Sequence, residues 1–340
     1  WRTGLDQPFV SSLNHDTGGA VVPNLVIVPL GTGGKISIYS MSGTDLAVDV
    51  QGVFERTDSS IAGRFVPITP ARAIDTREST PIGAGKSIDV DLTRQIPASA
   101  SAVVLNIAAT ETAGPGFLTV WTAGVKGRPL ASNLNYPAAN YTVANNVITA
   151  VSNGKVRIFS LARADVVVDV VGYMTGDTGE PSSAGLYVPL PPQRLYDSRP
   201  REAPCRTPKI GAGRVFSLPV AGELRVPASG VSAVTMNLTM TNTLEAGFLE
   251  AFPSQTPRPN PYSSVNAIRS GQTVGNHAVV AINAGGIDLF SSKGTDFVAD
   301  ITGYFLHDTG TPPTTAIGPA PQPDENCNVP VPPANNNYEY

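Results

Sequence analysis

Along the middle of the chain, apolar residues fall on every second position. Val103, Leu105, Ile107 and Ala109 lie on one side of a short stretch, with Asn106 and Thr110 on the other. Val234, Met236, Leu238 and Met240 repeat the pattern against Thr235, Asn237, Thr239 and Thr241. Such a period of two marks a half-buried strand, because successive side chains of an extended chain leave on opposite faces. Val166, Val168, Val170 and Met174 form another such face, opposite Asp169, Val171 and Tyr173. Clusters of Gly, Pro, Asn and Ser bound these runs, and no stretch of a dozen residues carries a helical period with caps. The predicted class is all-β, built of tandem β-sandwich modules of jelly-roll or immunoglobulin-like type. A barrel is the alternative, since strand number alone does not decide closure.

The patterns recur in order. Phe65-Val66-Pro67, Arg72 to Arg77, Gly83-Ala-Gly85 and Ile96-Pro-Ala-Ser99 return as Tyr187-Val188-Pro189, Arg194 to Arg199, Gly211-Ala-Gly213 and Val226-Pro-Ala-Ser229. A second set occurs three times. Ser12-Leu-Asn14 matches Asn133-Leu-Asn135 and Ser264-Val-Asn266, and each copy closes on Asp49, Asp169 or Asp300 followed by a glycine three residues on. The closing aspartates give periods of 120 and 131 residues, a repeat signature. Residues 63–174 and 185–306 therefore read as complete modules, and 1–56 as the C-terminal half of another, with Trp1 opposite Trp121. Residues 307–340 form a Pro-rich tail.

Charged residues make up only 15% of the chain and the formal net charge is −4, with no Lys/Arg cluster. Nucleic acid and anionic membrane are poor partners for such a surface. No apolar run is long enough to span a bilayer as a helix, so membrane insertion is not expected. The 33 glycines and 31 prolines fit frequent turns between short strands. Low charge and repetition suit an extracellular β protein.

Together these motifs resemble a repeat of secreted and cell-surface proteins of actinobacteria and related bacteria. Its marks are an early R-x-L-D-T-R, a following G-x-G and a closing V-D-V-x-G-Y-F. Here they stand at Arg72 to Arg77, Gly83 to Gly85 and Val168 to Met174, with Tyr304-Phe305 the fullest ending. The resemblance implies an exported surface module, usually in tandem, with no catalytic residues to carry over. Val53 replaces the closing Tyr in the first copy.

The search for chemistry yields few candidates. His15, His277 and His307 occupy non-equivalent positions without metal-ligand spacing, so neither a metal nor another cofactor is expected. No nucleophile elbow, phosphate loop or dinucleotide fingerprint occurs, and the chain is expected to be no enzyme. Arg72, Asp75, Arg77 and Asp169, like Arg194, Asp197, Arg199 and Asp300, are read as structural ion pairs. A ligand or calcium role for the aspartates is the alternative. Trp121, Tyr136, Tyr141, Phe252 and Tyr262 are candidates for stacking a surface glycan, with core packing as the other reading. Asn140 and Asn237 stand in glycosylation acceptor patterns.

Cys205 and Cys327, the two cysteines, are expected to form a disulfide pinning the tail to the last module. Within the tail, Pro330 and Pro332 turn their missing donors to one side while Val329 and Val331 keep theirs on the other. That suits a strand laid along a sheet edge of another copy, with Tyr338 and Tyr340 beyond it. The function expected is a non-catalytic structural repeat, a surface fibre subunit joined end to end to copies of itself. A glycan-binding adhesin and an accessory region of a larger secreted enzyme are the alternatives.

Overall fold

A computed structural model describes residues 1–16, 18–200, 209–259 and 262–307. The described residues contain no α-helix; sixteen strands carry the fold. The second module holds β1 (Phe65–Asp75), β2 (Lys86–Asp91), β3 (Ala102–Thr110), β4 (Gly116–Thr122), β5 (Leu134–Tyr136), β6 (Val143–Ala150), β7 (Lys155–Ser160) and β8 (Asp165–Met174). The third repeats them as β9 (Tyr187–Asp197), β10 (Arg214–Pro219), β11 (Val231–Thr241), β12 (Gly247–Pro253), β13 (Val265–Ala267), β14 (Val274–Ala281), β15 (Gly286–Ser291) and β16 (Asp296–Leu306).

In the second module one sheet has the order β1-β8-β3-β6 and the other β2-β7-β4-β5, all antiparallel. The third module has β9-β16-β11-β14 and β10-β15-β12-β13. Strands pair first with last and inward from there, alternating between sheets, which is a jelly roll. The sheets are open and no barrel closes, so the sandwich reading holds and the barrel alternative falls. The alternation in the sequence places Val103, Leu105, Ile107 and Ala109 in one core with Val166, Val168 and Val170. Val234, Met236, Leu238 and Met240 lie in the other core with Phe297, Ala299 and Ile301.

Two repeat motifs have plain mechanical reasons. Gly85 and Gly213 sit at φ of 66°, where a side chain would be strained, and each turns the chain into its next strand. At Gly172 a Cβ would overlap the Phe65 ring and the Val66 carbonyl, and at Gly303 it would overlap the Tyr187 ring. The closing glycine therefore makes room for the aromatic that opens the module.

The outer faces of β3 and β11 are also covered. Phe65, Val104, Val171 and Met174 pack against Ala233, Tyr262, Val279 and Phe305, forming a third core between the modules. Residues 1–56 behave differently. The repeat predicts strands over 34–40 and 46–54, but the described residues there form none. Their ladder partners in the repeat, the counterparts of β1 to β3 and most of β4, would fall ahead of Trp1. What remains keeps the register of the repeat: Arg2 bridges Ile36 as Thr122 pairs with Val156. Cys205, Cys327, Val329, Pro330, Val331, Pro332, Tyr338 and Tyr340 lie outside the described residues, so the disulfide and tail expectations rest on sequence.

Candidate functional site

A single polar row crosses the outer sheet of each complete module. In the second, Arg72 pairs across to Asp169, Asp169 to Asn106 and Asn106 to Asn146. In the third, the row is Arg194, Asp300, Asn237 and His277. Strand pairing sets the row, since residues in register on one face of a sheet stand side by side.

The arginine end of each row is a clamp. Arg72 donates from Nε to Asp169 at 2.6 Å and from a terminal nitrogen to Asp75 at 2.8 Å. Arg77 closes on Asp75 with its Nε at 2.8 Å and its backbone N–H at 3.2 Å. Arg194 likewise bridges Asp197 and Asp300, and Arg199 donates to Asp197 from Nε at 2.9 Å and from its backbone at 3.1 Å. All eight predicted ion-pair residues are thus brought together, four per module. The Arg77 side chain lowers the carboxyl of Asp75, against the opposing effect of burial. For Asp197, burial works upward, but the bonds and charges of Arg199 and Arg194 outweigh it and bring the carboxyl down to about 2. Burial instead raises Asp169 and Asp300, with Arg72 and Arg194 opposing it.

The residue between the motif's Asp and second Arg has a role that sequence reasoning missed. Thr76 donates to Asp165 at 2.9 Å and accepts from the Val166 N–H at 2.7 Å. Ser198 does the same with Asp296 and the Phe297 N–H. A hydroxyl is needed there because it both donates and accepts, which accounts for the Thr/Ser choice.

The asparagine end docks the neighbouring module. Asn106 donates from Nδ2 to the Ser263 carbonyl at 2.6 Å, and the Asn146 N–H donates to Asn276 Oδ1 at 3.2 Å. Asn276 also donates to Asn106 Oδ1 at 3.4 Å and to the Ser264 carbonyl at 2.7 Å. On the third module the partner is the N-terminal segment. Asn237 donates to the Ser11 carbonyl at 2.7 Å, and the His277 N–H to Asn24 Oδ1 at 2.8 Å. Asn24 donates to Asn237 Oδ1 at 3.0 Å and to the Ser12 carbonyl at 2.6 Å. Ser11, Ser12 and Asn24 are the repeat counterparts of Ser263, Ser264 and Asn276. The same contact is therefore made twice, bond for bond.

None of these asparagines was singled out from sequence as a docking residue. The available signal was Asn106 and Asn237 recurring inside otherwise apolar strands, and an Asn twelve residues after Ser12, Asn133 and Ser264 alike. Asn237, in a glycosylation acceptor pattern, is buried and fully engaged. Of the glycan-stacking candidates, Trp121, Tyr136, Phe252 and Tyr262 are 8%, 1%, 1% and 4% exposed, and Tyr141 is half-buried. Tyr136 and Tyr141 pack in the core of the second module and Tyr262 in the contact between modules, as the core-packing alternative has it. Among the described residues, no group of three or more His, Cys, Asp or Glu is placed to hold a metal ion.

No family model matches the chain. No curated protein matches it either. Among solved structures, it is similar to the N-terminal CBM22-1–CBM22-2 tandem domain from Paenibacillus barcinonensis Xyn10C, over 73% of this chain and 98% of that one. The identity is 10% and the TM-score 0.19, and a superposition of that quality decides neither fold nor ligand.

Proposed function

We propose that this chain is a non-catalytic architectural protein of the cell exterior, whose modules exist to pack on one another and build a surface filament. The observation that carries the reading is the outer-sheet contact, made twice with the same hydrogen bonds. The face that a binding sandwich would offer to a ligand is spent here on the next module. The clamps support the same role, because Asp169 and Asp300 spend their charge on arginines at the edge of that contact. Export is supported by the scarcity of charge and by the surface-protein motifs.

The reading is tested on native material. Labelling intact cells with an antibody to the protein should decorate the surface, and negative-stain microscopy should show filaments. Protein confined inside the cell, or found outside only as dispersed monomers, would overturn it. A glycan array is expected to stay blank, and a strong, saturable hit would move the assignment to an adhesin.

A further inference from the structure

The doubled contact has a direction and an axis. The edge carrying Ser11 and Asn24 docks on the third module, and the edge carrying Ser263 and Asn276 docks on the second. The aromatic contacts run the same way. Phe54 meets Tyr187 at 4.8 Å and Phe305 meets Phe65 at 4.4 Å, where Phe54 and Phe305 are counterparts, as are Tyr187 and Phe65.

Counterparts also touch each other. Phe54 lies 6.2 Å from Phe305, and Met174, the third member of that set, packs in the same cluster as Phe305. Tyr141 lies close enough to Gln272, its own counterpart, for that side chain to lower its pKa against the larger effect of burial. Equivalent points meet only near a rotation axis, and a head-to-tail contact around an axis gives a ring when the rotation closes. With the contacts running from first module to third to second, the one contact left over runs from second back to first.

The second module's side of that contact lacks a partner among the described residues, and the first module's own core face is exposed. On the second module, Asn145 is the counterpart of Asn24 and Asn276, and it makes their local bond, to the Asn133 carbonyl at 2.5 Å. Its Oδ1, however, is buried with no hydrogen-bond partner among the described residues, whereas Asn24 and Asn276 each accept an N–H from the next module there. By the pattern the missing donor is the N–H of Leu25, counterpart of Asn146 and His277. On the first module, Ile38, Val48 and Val50 are 53%, 62% and 83% exposed, while their counterparts Ile158, Val168 and Val170 are at 0%. Asp49, counterpart of Asp169, has no arginine in the position of Arg72.

We propose that the three copies of this repeat form a pseudo-threefold ring of jelly rolls, whose third contact is made when a polypeptide bearing the first half of the repeat completes the first module. The occupant carries an opening aromatic-Val-Pro, an Arg-x-x-Asp-Thr/Ser-Arg whose first arginine meets Asp49, and an apolar strand with an asparagine. That asparagine donates to the Ser132 carbonyl, as Asn106 does to Ser263 and Asn237 to Ser11. The inference rests on the packing role proposed above.

The probe is residues 64–120 joined directly ahead of Trp1, which recreates the Val120–Trp121 junction. Hydrogen exchange in the grafted chain should slow by at least about 100-fold across 34–54, because stable strands exchange only through large openings. Asn145→Ala should lower the melting temperature of the grafted chain as much as Asn276→Ala does, and should cost clearly less than Asn276→Ala in the chain without the graft. A graft that leaves 34–54 open, or that unfolds the two complete modules, overturns the proposal. So does an Asn145→Ala effect that the graft leaves unchanged. Loss of the Asn276→Ala effect in both chains would instead remove the packing role itself.

Discussion

At the scale of single residues, the clamps and the docking row make different demands on pH. Asp197 has a nearly buried side chain and is held at about 2 by Arg199 and Arg194 despite its burial. Its folded value lies below the ordinary 3.8, so its contribution is complete above about pH 4 and is lost as pH falls toward 2. Asp197→Asn should cost about 2–3 kcal/mol at neutral pH, since it removes one of the two carboxylates that Arg194 bridges while Arg199 keeps access to water. Urea unfolding at pH 7 and pH 3 checks this: a variant as stable as the parent at pH 7 would mean that the clamp carries no stability. His277 is buried, with Nδ1 3.4 Å from Asn146 Oδ1 and Nε2 unpartnered among the described residues. Burial lowers it from 6.5 to about 4, so the fold holds the neutral ring. Stability from this site is full above pH 6.5 and falls by roughly 3 kcal/mol as pH drops from 6.5 to 4, where the unfolded chain takes up the proton first. His277→Asn, which installs the residue found at position 146, should flatten the stability curve over that window. A slope unchanged by the substitution would place the acid sensitivity elsewhere.

At the scale of elements, the period of two located β3, β8 and β11 and their core faces correctly. It read the opposite faces as solvated, because Asn106, Thr110, Asn237 and Thr239 are polar. Those faces are in fact largely buried, Val104 and Ala233 completely. A strand covered by an apolar core on one side and a hydrogen-bonded docking row on the other still alternates, so alternation alone cannot tell water from a polar neighbour. The clamp was legible because a charge motif repeated in full must serve both copies alike. The docking row was not, because its members lie on separate strands and become a row only through pairing. Strands over 34–54 were predicted from a pattern that is present; without a ladder, an extended segment has nowhere to place its N–H and C=O groups except water. The closing glycines make an element-level prediction. Gly172→Ala would drive a methyl into the Phe65 ring and the Val66 carbonyl between β8 and β1, costing about 1–3 kcal/mol. The double change Gly172→Ala with Phe65→Leu should recover part of the loss in thermal melts; a Gly172→Ala protein that melts like the parent would show that the aromatic does not need the gap.

At the scale of the whole molecule, the question is what the contact between modules contributes. Each complete module has a core of its own, so residues 63–176 should fold when cut away from the rest. The cut would nevertheless expose Phe65, Val104, Val171 and Met174, all buried against the third module, together with the partly buried Ile148. Complete burial of such a side chain is worth about 1.5–3 kcal/mol, and an isolated sheet face recovers some of that by relaxing, so a loss on the order of 5 kcal/mol is expected. The polar row adds specificity more than stability, because Asn106 and Asn146 would exchange their partners across the contact for water. The isolated module should therefore melt at least about 10 °C below residues 63–307 and bind a hydrophobic dye that the two-module protein leaves alone. Asn106→Leu should show which force sets the arrangement. If the row fixes register, this variant keeps most of its melting temperature in the two-module protein but broadens the distribution of module orientations seen by small-angle scattering. If the isolated module instead melts with the two-module protein and leaves the dye unbound, the sheet faces are not held together by burial, and the doubled contact reflects only the likeness of the repeats.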